Sequence, residues 1–248
     1  MQIAQTCKAL LRPIYLSVLG HRNYRRFAIV GHARTGSNYL LNGLRSLKSV
    51  RMEGEIFAGH NREIGKHFDP ILSTFFRKER RRIKASGFKL FYYHLMPDEW
   101  DKFLAHPEFA VIHLTRRNRL RTIVSLDIAK ATNQWASSQA SVAEPARKTV
   151  SLDASTLIER LEHIENQENL ARERFKHSPM LELTYEELVG NPDEAFRRVS
   201  RFLDIDDIDV GKIELSRQNP EGLRDLIANY AEVHALLANT RFAGYLNE

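Results

Sequence analysis

Arg26-Phe27-Ala28-Ile29-Val30-Gly31-His32-Ala33-Arg34-Thr35-Gly36-Ser37-Asn38-Tyr39-Leu40-Leu41 is the stretch around which this 248-residue chain is organised. Phe27 to Val30 are apolar and rich in strand formers. Gly31 and Gly36 bound a loop, and Ser37-Asn38 at its exit are residues that cap helices well. Apolar residues at 40, 41, 44 and 47 then follow helical spacing. A strand, a glycine-bounded loop and a helix in succession aim several backbone N–H groups and the positive end of the helix dipole at one point. That point is an anion site.

The anion is not read as a nucleoside triphosphate. A triphosphate loop runs G-x-x-x-x-G-K-[ST], its lysine reaching the outer phosphates and its hydroxyl holding magnesium. Gly31 and Gly36 keep that spacing, but Ser37 stands where the lysine belongs, and the cation sits inside the loop as Arg34. A single 5′-phosphate bearing a transferable group suits Arg34 and the loop amides better than a triphosphate with its metal. A second block, Phe109-Ala110-Val111-Ile112-His113-Leu114-Thr115-Arg116-Arg117-Asn118, is again a strand running into a basic turn. A helix is predicted from near Asn118, with Leu120, Ile123, Val124 and Ile128 as its inner face.

Ala33-Arg34-Thr35-Gly36-Ser37-Asn38-Tyr39 resembles the 5′-phosphosulfate loop of the sulfotransferases, P-[KR]-[ST]-G-[ST]-[TN]-[WYFL]. The second block resembles that family's 3′-phosphate motif, R-N-x-x-x-x-x-x-S, with Arg117 and Ser125 at its ends. Two phosphate motifs in the right order, each at a strand-to-helix turn, are harder to obtain by chance than either alone. The resemblance covers most of residues 26 to 205. It implies an α/β, P-loop-like three-layer fold with a central parallel sheet flanked by helices. It also implies 3′-phosphoadenosine-5′-phosphosulfate (PAPS) as donor, with no metal. Arg34, Thr35, Gly36, Ser37, Asn38 and Tyr39 would hold the donor together with Arg117 and Ser125, Tyr39 either stacking on adenine or packing in the core.

The acceptor side is less fully written. Ser49-Val50-Arg51-Met52-Glu53-Gly54-Glu55-Ile56-Phe57 is predicted to be a strand returning beside the first, with Glu53 and Glu55 pointing the same way. The segment resembles G-E-x-x-E-F-F or G-E-[IL]-F in bacterial sulfotransferases of the trehalose and nodulation-factor type, which makes Glu55 the implied general base beside Arg34. Eukaryotic cytosolic relatives use a histidine, so His94, just past the predicted strand Gly87 to Tyr92, is the alternative base. The Glu55 segment also implies a carbohydrate or glycolipid acceptor. Two other readings stand against this one: a P-loop kinase and a non-catalytic nucleotide-binding protein.

Elsewhere, residues 66 to 85 are predicted to be a helix with a basic end, and Ala131 to Thr149 an active-site loop in which Arg147 and Lys148 close over a phosphate. A long helix over 153 to 177, a strand Met180 to Thr184 and a helix through Leu203 follow. Tyr185-Glu186-Glu187-Leu188-Val189-Gly190-Asn191-Pro192 resembles the family's Y-E-[DE]-L-x-x-x-P stretch, read as a capped helix pair with no chemistry. The tail from Pro220 is read as helical and lacks the R-K-G block of the cytosolic branch.

Composition bounds these expectations. Hydrophobic residues make up 43% and charged residues 27%, the proportions of a water-soluble globule. A lone cysteine, Cys7, forms no internal disulfide, and a cytoplasmic setting is expected. Nine Lys or Arg residues precede the first acidic one, Glu53, so the net charge of +6 belongs to the N-terminal quarter. Without a uniformly basic, aromatic-studded face, anionic nucleotide or anionic lipid headgroups suit that charge better than nucleic acid. The chain divides into an N-terminal basic helix over residues 1–25 and a sulfotransferase domain over 26–248. The helix would pack on the domain or a second subunit, making a homodimer, or lie as a peripheral anchor on the inner membrane face.

Overall fold

The computed structural model describes residues 16–62, 67–106, 108–135, 149–213 and 219–247. A parallel five-stranded sheet is built from β1 (Arg25–Gly31), β2 (Val50–Glu53), β3 (Ala85–Phe91), β4 (Ala110–Thr115) and β5 (Met180–Thr184) in the order β2-β3-β1-β4-β5. Helices α1 (Ser37–Ser46), α2 (Phe68–Phe75), α3 (Pro97–Leu104), α4 (Arg119–Thr132), α5 (Ala154–Arg174), α6 (Tyr185–Gly190) and α7 (Pro192–Leu203) flank it, with α8 (Leu223–Leu226) and α9 (Tyr230–Leu237) near the end. This is the expected α/β fold.

Alternation along the strands makes the three layers. On β1, Phe27 and Ile29 face Leu40 and Leu44 of α1 and Phe196 and Val199 of α7, while Ala28 and Val30 face the other way, toward Phe68, Trp100 and Phe103. The predicted inner face of α4 is buried, packed on Leu157 and Leu161 of α5 and on Val233 of α9. Leaving β1, the chain crosses toward β2; leaving β4, it crosses toward β5. The crevice where these directions diverge, at the C-terminal ends of β1 and β4, is where open α/β sheets hold ligands.

Several expectations need correction. The strand after α1 does not lie beside β1; it is the sheet edge, paired with β3. All seven residues of β3 are buried whereas β2 alternates, so the strand with two apolar faces takes the inner place. Gly87 of β3 has no space for a side chain, since a Cβ there would lie 2.5 Å from the Phe27 ring. Strand geometry stops at Glu53, and a turn closed by Ile56 N–H donating to the Gly54 carbonyl sends Glu53 and Glu55 apart. Glu53 goes to Arg45 and Arg51, Glu55 to Lys89.

The helix predicted over 66–85 is two turns long. The basic run after it follows a turn, because like charges at helical spacing repel and its backbone has other partners. Tyr24 Oη donates to the Arg77 carbonyl, and His21 and Glu79 exchange backbone bonds. The tail is broken into short helices, held where Asn229 exchanges two hydrogen bonds with the backbone of Leu152. Most of the predicted N-terminal helix, and Arg147 and Lys148, fall outside the described residues; Leu16 to Leu19 are helical, and Arg25 already belongs to β1. No helix among the described residues is long and apolar enough to cross a membrane.

Candidate active site

The loop after β1 is shaped by two left-handed residues, Arg34 at φ 70° and Gly36 at φ 88°. Gly36, rather than Ser37, is the N-cap of α1. A side chain at 36 would meet the Tyr185 ring at 2.9 Å, so only glycine meets both the dihedral and the space. Thr35 is buried, and its hydroxyl donates to the His32 carbonyl at 2.9 Å, closing the loop on itself. The first turn of α1 has neither a side-chain cap nor an acidic residue, which leaves its N–H groups and dipole for an anion.

Arg34 joins the two predicted motifs. Its Nε donates to the Ser125 hydroxyl of α4 at 3.0 Å, across 91 residues of sequence, and its Nη1 donates to the Trp135 carbonyl at 2.9 Å. Asn219 donates to the same hydroxyl at 3.3 Å. Arg116 closes the crevice from β4, donating to the Arg34 carbonyl at 3.4 Å with its guanidinium 4.3 Å from the centre of the Tyr185 ring. Burial lowers both arginines, Arg116 to about 10. The Nε of Arg116 is buried with no hydrogen-bond partner among the described residues. A buried guanidinium with an unused donor is what a phosphate or sulfate oxygen would satisfy.

Two cavities lie on either side of this junction. One, of about 650 Å³, is lined by Arg116, Arg117, Arg121, Tyr185, Asn219 and Tyr245. Arg117 is exposed there, and the backbone N–H groups of Arg117 and Asn118 donate to the Glu186 carboxylate at 3.0 and 3.5 Å. The other, of about 920 Å³, is lined by Arg34, Ser37, Asn38, Glu55, Lys89 and His94. Tyr39 lines neither. Its ring lies on Phe196 at 5.3 Å, edge to face, so its packing alternative is the one the geometry displays.

Glu55 is held from two sides. Its Oε1 lies 2.9 Å from Lys89 Nζ and its Oε2 3.7 Å from His94 Nε2. The turn that carries it is fastened by Arg62, which forks onto Glu99 at 2.7 and 2.9 Å and also donates to the carbonyls of Phe57 and His94. Burial, partly offset by the Glu55 carboxylate, holds His94 down at about 4, so the imidazole is neutral at pH 7. Its Nδ1 accepts the Phe91 N–H at 3.1 Å. The proton therefore sits on Nε2, and His94 has no spare lone pair with which to act as a base.

A family model described as Stf0 sulphotransferase matches residues 92–232, more than half of the chain. The chain belongs to the Stf0 sulfotransferase family. The matched span includes Arg117 and Ser125 of this sulfotransferase and begins after the 31–39 loop and Glu55. Among solved structures, a sulfotransferase from Alicyclobacillus acidocaldarius is similar at 17% identity and a TM-score of 0.46, covering 86% of this chain and 93% of that one. A mouse sulfotransferase complexed with PAP is similar at 16% identity and a TM-score of 0.46, covering 79% of this chain and 65% of that one. Likenesses this distant leave the family assignment resting on the family model. No curated protein matches the chain.

Lys89, Arg116 and Tyr185 are additions to the residues singled out from sequence. A lysine in the middle of the apolar run Gly87 to Tyr92 was the available signal for the first. For the other two the signals were the basic turn that holds Arg116 and the family-like stretch that opens on Tyr185, but their contact with the loop joins elements far apart in the chain.

Proposed function

We propose that this sulfotransferase takes PAPS as donor and transfers its sulfuryl group to a hydroxyl of a carbohydrate or glycolipid, with Glu55 as general base. The observation that carries this reading is the Arg34–Ser125 contact, which brings the two phosphate motifs into one crevice between the two cavities. Arg116, Arg117 and Arg121 line the smaller cavity and suit the nucleotide's phosphates. The α1 N-terminus and Arg34 would stabilise the charge that grows on the bridging oxygen as the sulfuryl group departs. Glu55, in the lining of the larger cavity, would take the proton of the attacking hydroxyl in line with the leaving phosphate.

The mouth of the larger cavity supports the acceptor class. Tyr93, Met96 and Trp135 line it at 58%, 63% and 48% exposure, among polar Asn61 and His60. Apolar surface left open in this way, interleaved with hydrogen-bonding groups, fits a molecule with both kinds of face, as a sugar ring has.

Calorimetric titration of adenosine 3′,5′-bisphosphate, set against ATP with magnesium, tests the donor on wild type and Arg117→Ala. The bisphosphate is expected to bind the wild type and to lose about tenfold in the variant, the size of one charged contact. Preference for ATP with magnesium would sink the reading in favour of a kinase.

A further inference from the structure

Lys89 sits on the inner strand β3 with 5% of its surface exposed, inside a segment that is otherwise apolar or small apart from buried Ser86. A buried ammonium is costly unless it is paired and hydrogen-bonded. Its partners are the Asn38 side-chain oxygen at 2.8 Å and Glu55 Oε1 at 2.9 Å, with the Phe91 ring 5.4 Å away. Asn38 belongs to the first turn of α1 and Glu55 to the turn after β2, so one cation links the donor loop to the carboxylate. An ammonium has three N–H groups, and these two partners occupy two. The third is left for the cavity that Lys89 lines together with Arg34 and Ser37.

The loop lacks the lysine that a triphosphate loop carries at the position of Ser37. β3 delivers one to the neighbouring residue instead, already engaged with the carboxylate.

We propose that Lys89 is a catalytic residue that passes from Glu55 to the donor. In the donor-free protein it clamps the Glu55 carboxylate. When a sulfuryl group occupies the cavity wall formed by Arg34, Ser37 and Asn38, its negative oxygens take over the ammonium, and Glu55 is released to accept a proton. The transfer then balances. The acceptor oxygen forms a bond to sulfur as its proton goes to Glu55, and the sulfur–oxygen bond to the 5′-phosphate breaks with its electron pair left on that phosphate. Arg34 and Lys89 face the departing charge, and Glu55 later gives its proton to solvent. The site is thereby kept from activating a hydroxyl before donor is present.

The proposal rests on the donor reading above and is tested without any acceptor, by comparing PAPS with adenosine 3′,5′-bisphosphate, which lacks the sulfuryl group. In Lys89→Gln, PAPS affinity is expected to fall at least about tenfold while bisphosphate affinity stays within about twofold, the loss of one charged hydrogen bond confined to the sulfuryl group. In Glu55→Gln, which removes the competing carboxylate, PAPS should bind several-fold tighter with the bisphosphate unchanged, and that gain should vanish in the Lys89→Gln background. Equal losses for both ligands, or none, overturn the contact; an unchanged PAPS affinity in Glu55→Gln overturns the exchange. A wild type that binds neither ligand defeats the donor reading and this proposal with it, which a failure of Lys89 alone does not do.

Discussion

The two walls of the site are built differently. On the donor side, each element is a strand, a short turn and a helix in unbroken sequence, and the functional groups come largely from the turn itself: Arg34, Gly36, Arg116 and Arg117. On the acceptor side, Glu55 comes from an irregular turn beyond an edge strand, Lys89 from within an inner strand, and His94 from a turn beyond that strand. They are held by each other and by Arg62, not by a repeating element. Where backbone geometry makes the site, local sequence reveals its arrangement; where side-chain pairing makes it, sequence named Glu55 and His94 but only the fold shows how they are held.

Substitutions can separate the walls. The largest effect is expected from Glu55→Gln, which should reduce turnover of PAPS with a sugar acceptor by about 10²–10⁴-fold, the worth of a positioned base, while adenosine 3′,5′-bisphosphate still binds as in the wild type. Weakened bisphosphate binding in that variant would mean that the walls are not independent. Arg34→Ala should do the reverse, lowering bisphosphate affinity by about 10–100-fold through loss of a charged donor, measured by calorimetry. If affinity is retained there, the donor side owes its anion binding to the helix terminus and the arginines after β4.

Smaller effects concern the scaffold. Gly36→Ala places a Cβ at φ 88° and 2.9 Å from Tyr185, and should cost about 1–3 kcal/mol in denaturant unfolding. Tyr185→Ala would relieve the contact but not the dihedral, so the double variant should recover only part of the loss. The smallest expected effect is on pH dependence. His94 is held neutral in the folded protein down to about 4, against about 6.5 for an ordinary histidine. The unfolded chain therefore binds that proton first as pH falls, and the stability from neutral His94 is complete above about 6.5 and is lost progressively toward pH 4. Buried His32 acts in the same direction. Unfolding midpoints across that window should slope less in His94→Gln than in the wild type, and equal slopes would put the acceptor wall outside the balance.

Much of the donor wall was legible in advance. β1, the loop, α1, β4 and α4 fall where hydrophobic spacing put them, and Arg34 and Ser125 meet although nothing local says that they should. Three things were not legible, each for a physical reason. The edge position of β2 depends on which strand has two buried faces, a comparison between strands and not a property of one. The parting of Glu53 and Glu55 depends on a turn closed by a single backbone bond at Gly54. The engagement of the His94 lone pair depends on where the Phe91 N–H points after the strand ends. The Tyr185 stretch, read only as a capped helix, contributes a ring that covers Gly36 and carries Arg116.

The strand order also has a meaning in time. β1 is made early, but both of its neighbours come later, Phe27 pairing with Gly87 on one side and with Ala110 on the other. Its buried residues have no sheet to join until β3, about 60 residues further on, has been synthesised, and loop closure of that length is slow. The cavity proposed for the nucleotide waits longer still, since Asn219 and Tyr245 line it. During synthesis on the ribosome the anion loop thus exists as sequence long before it exists as a site, and the cavity beside it is complete only once Tyr245 has left the exit tunnel.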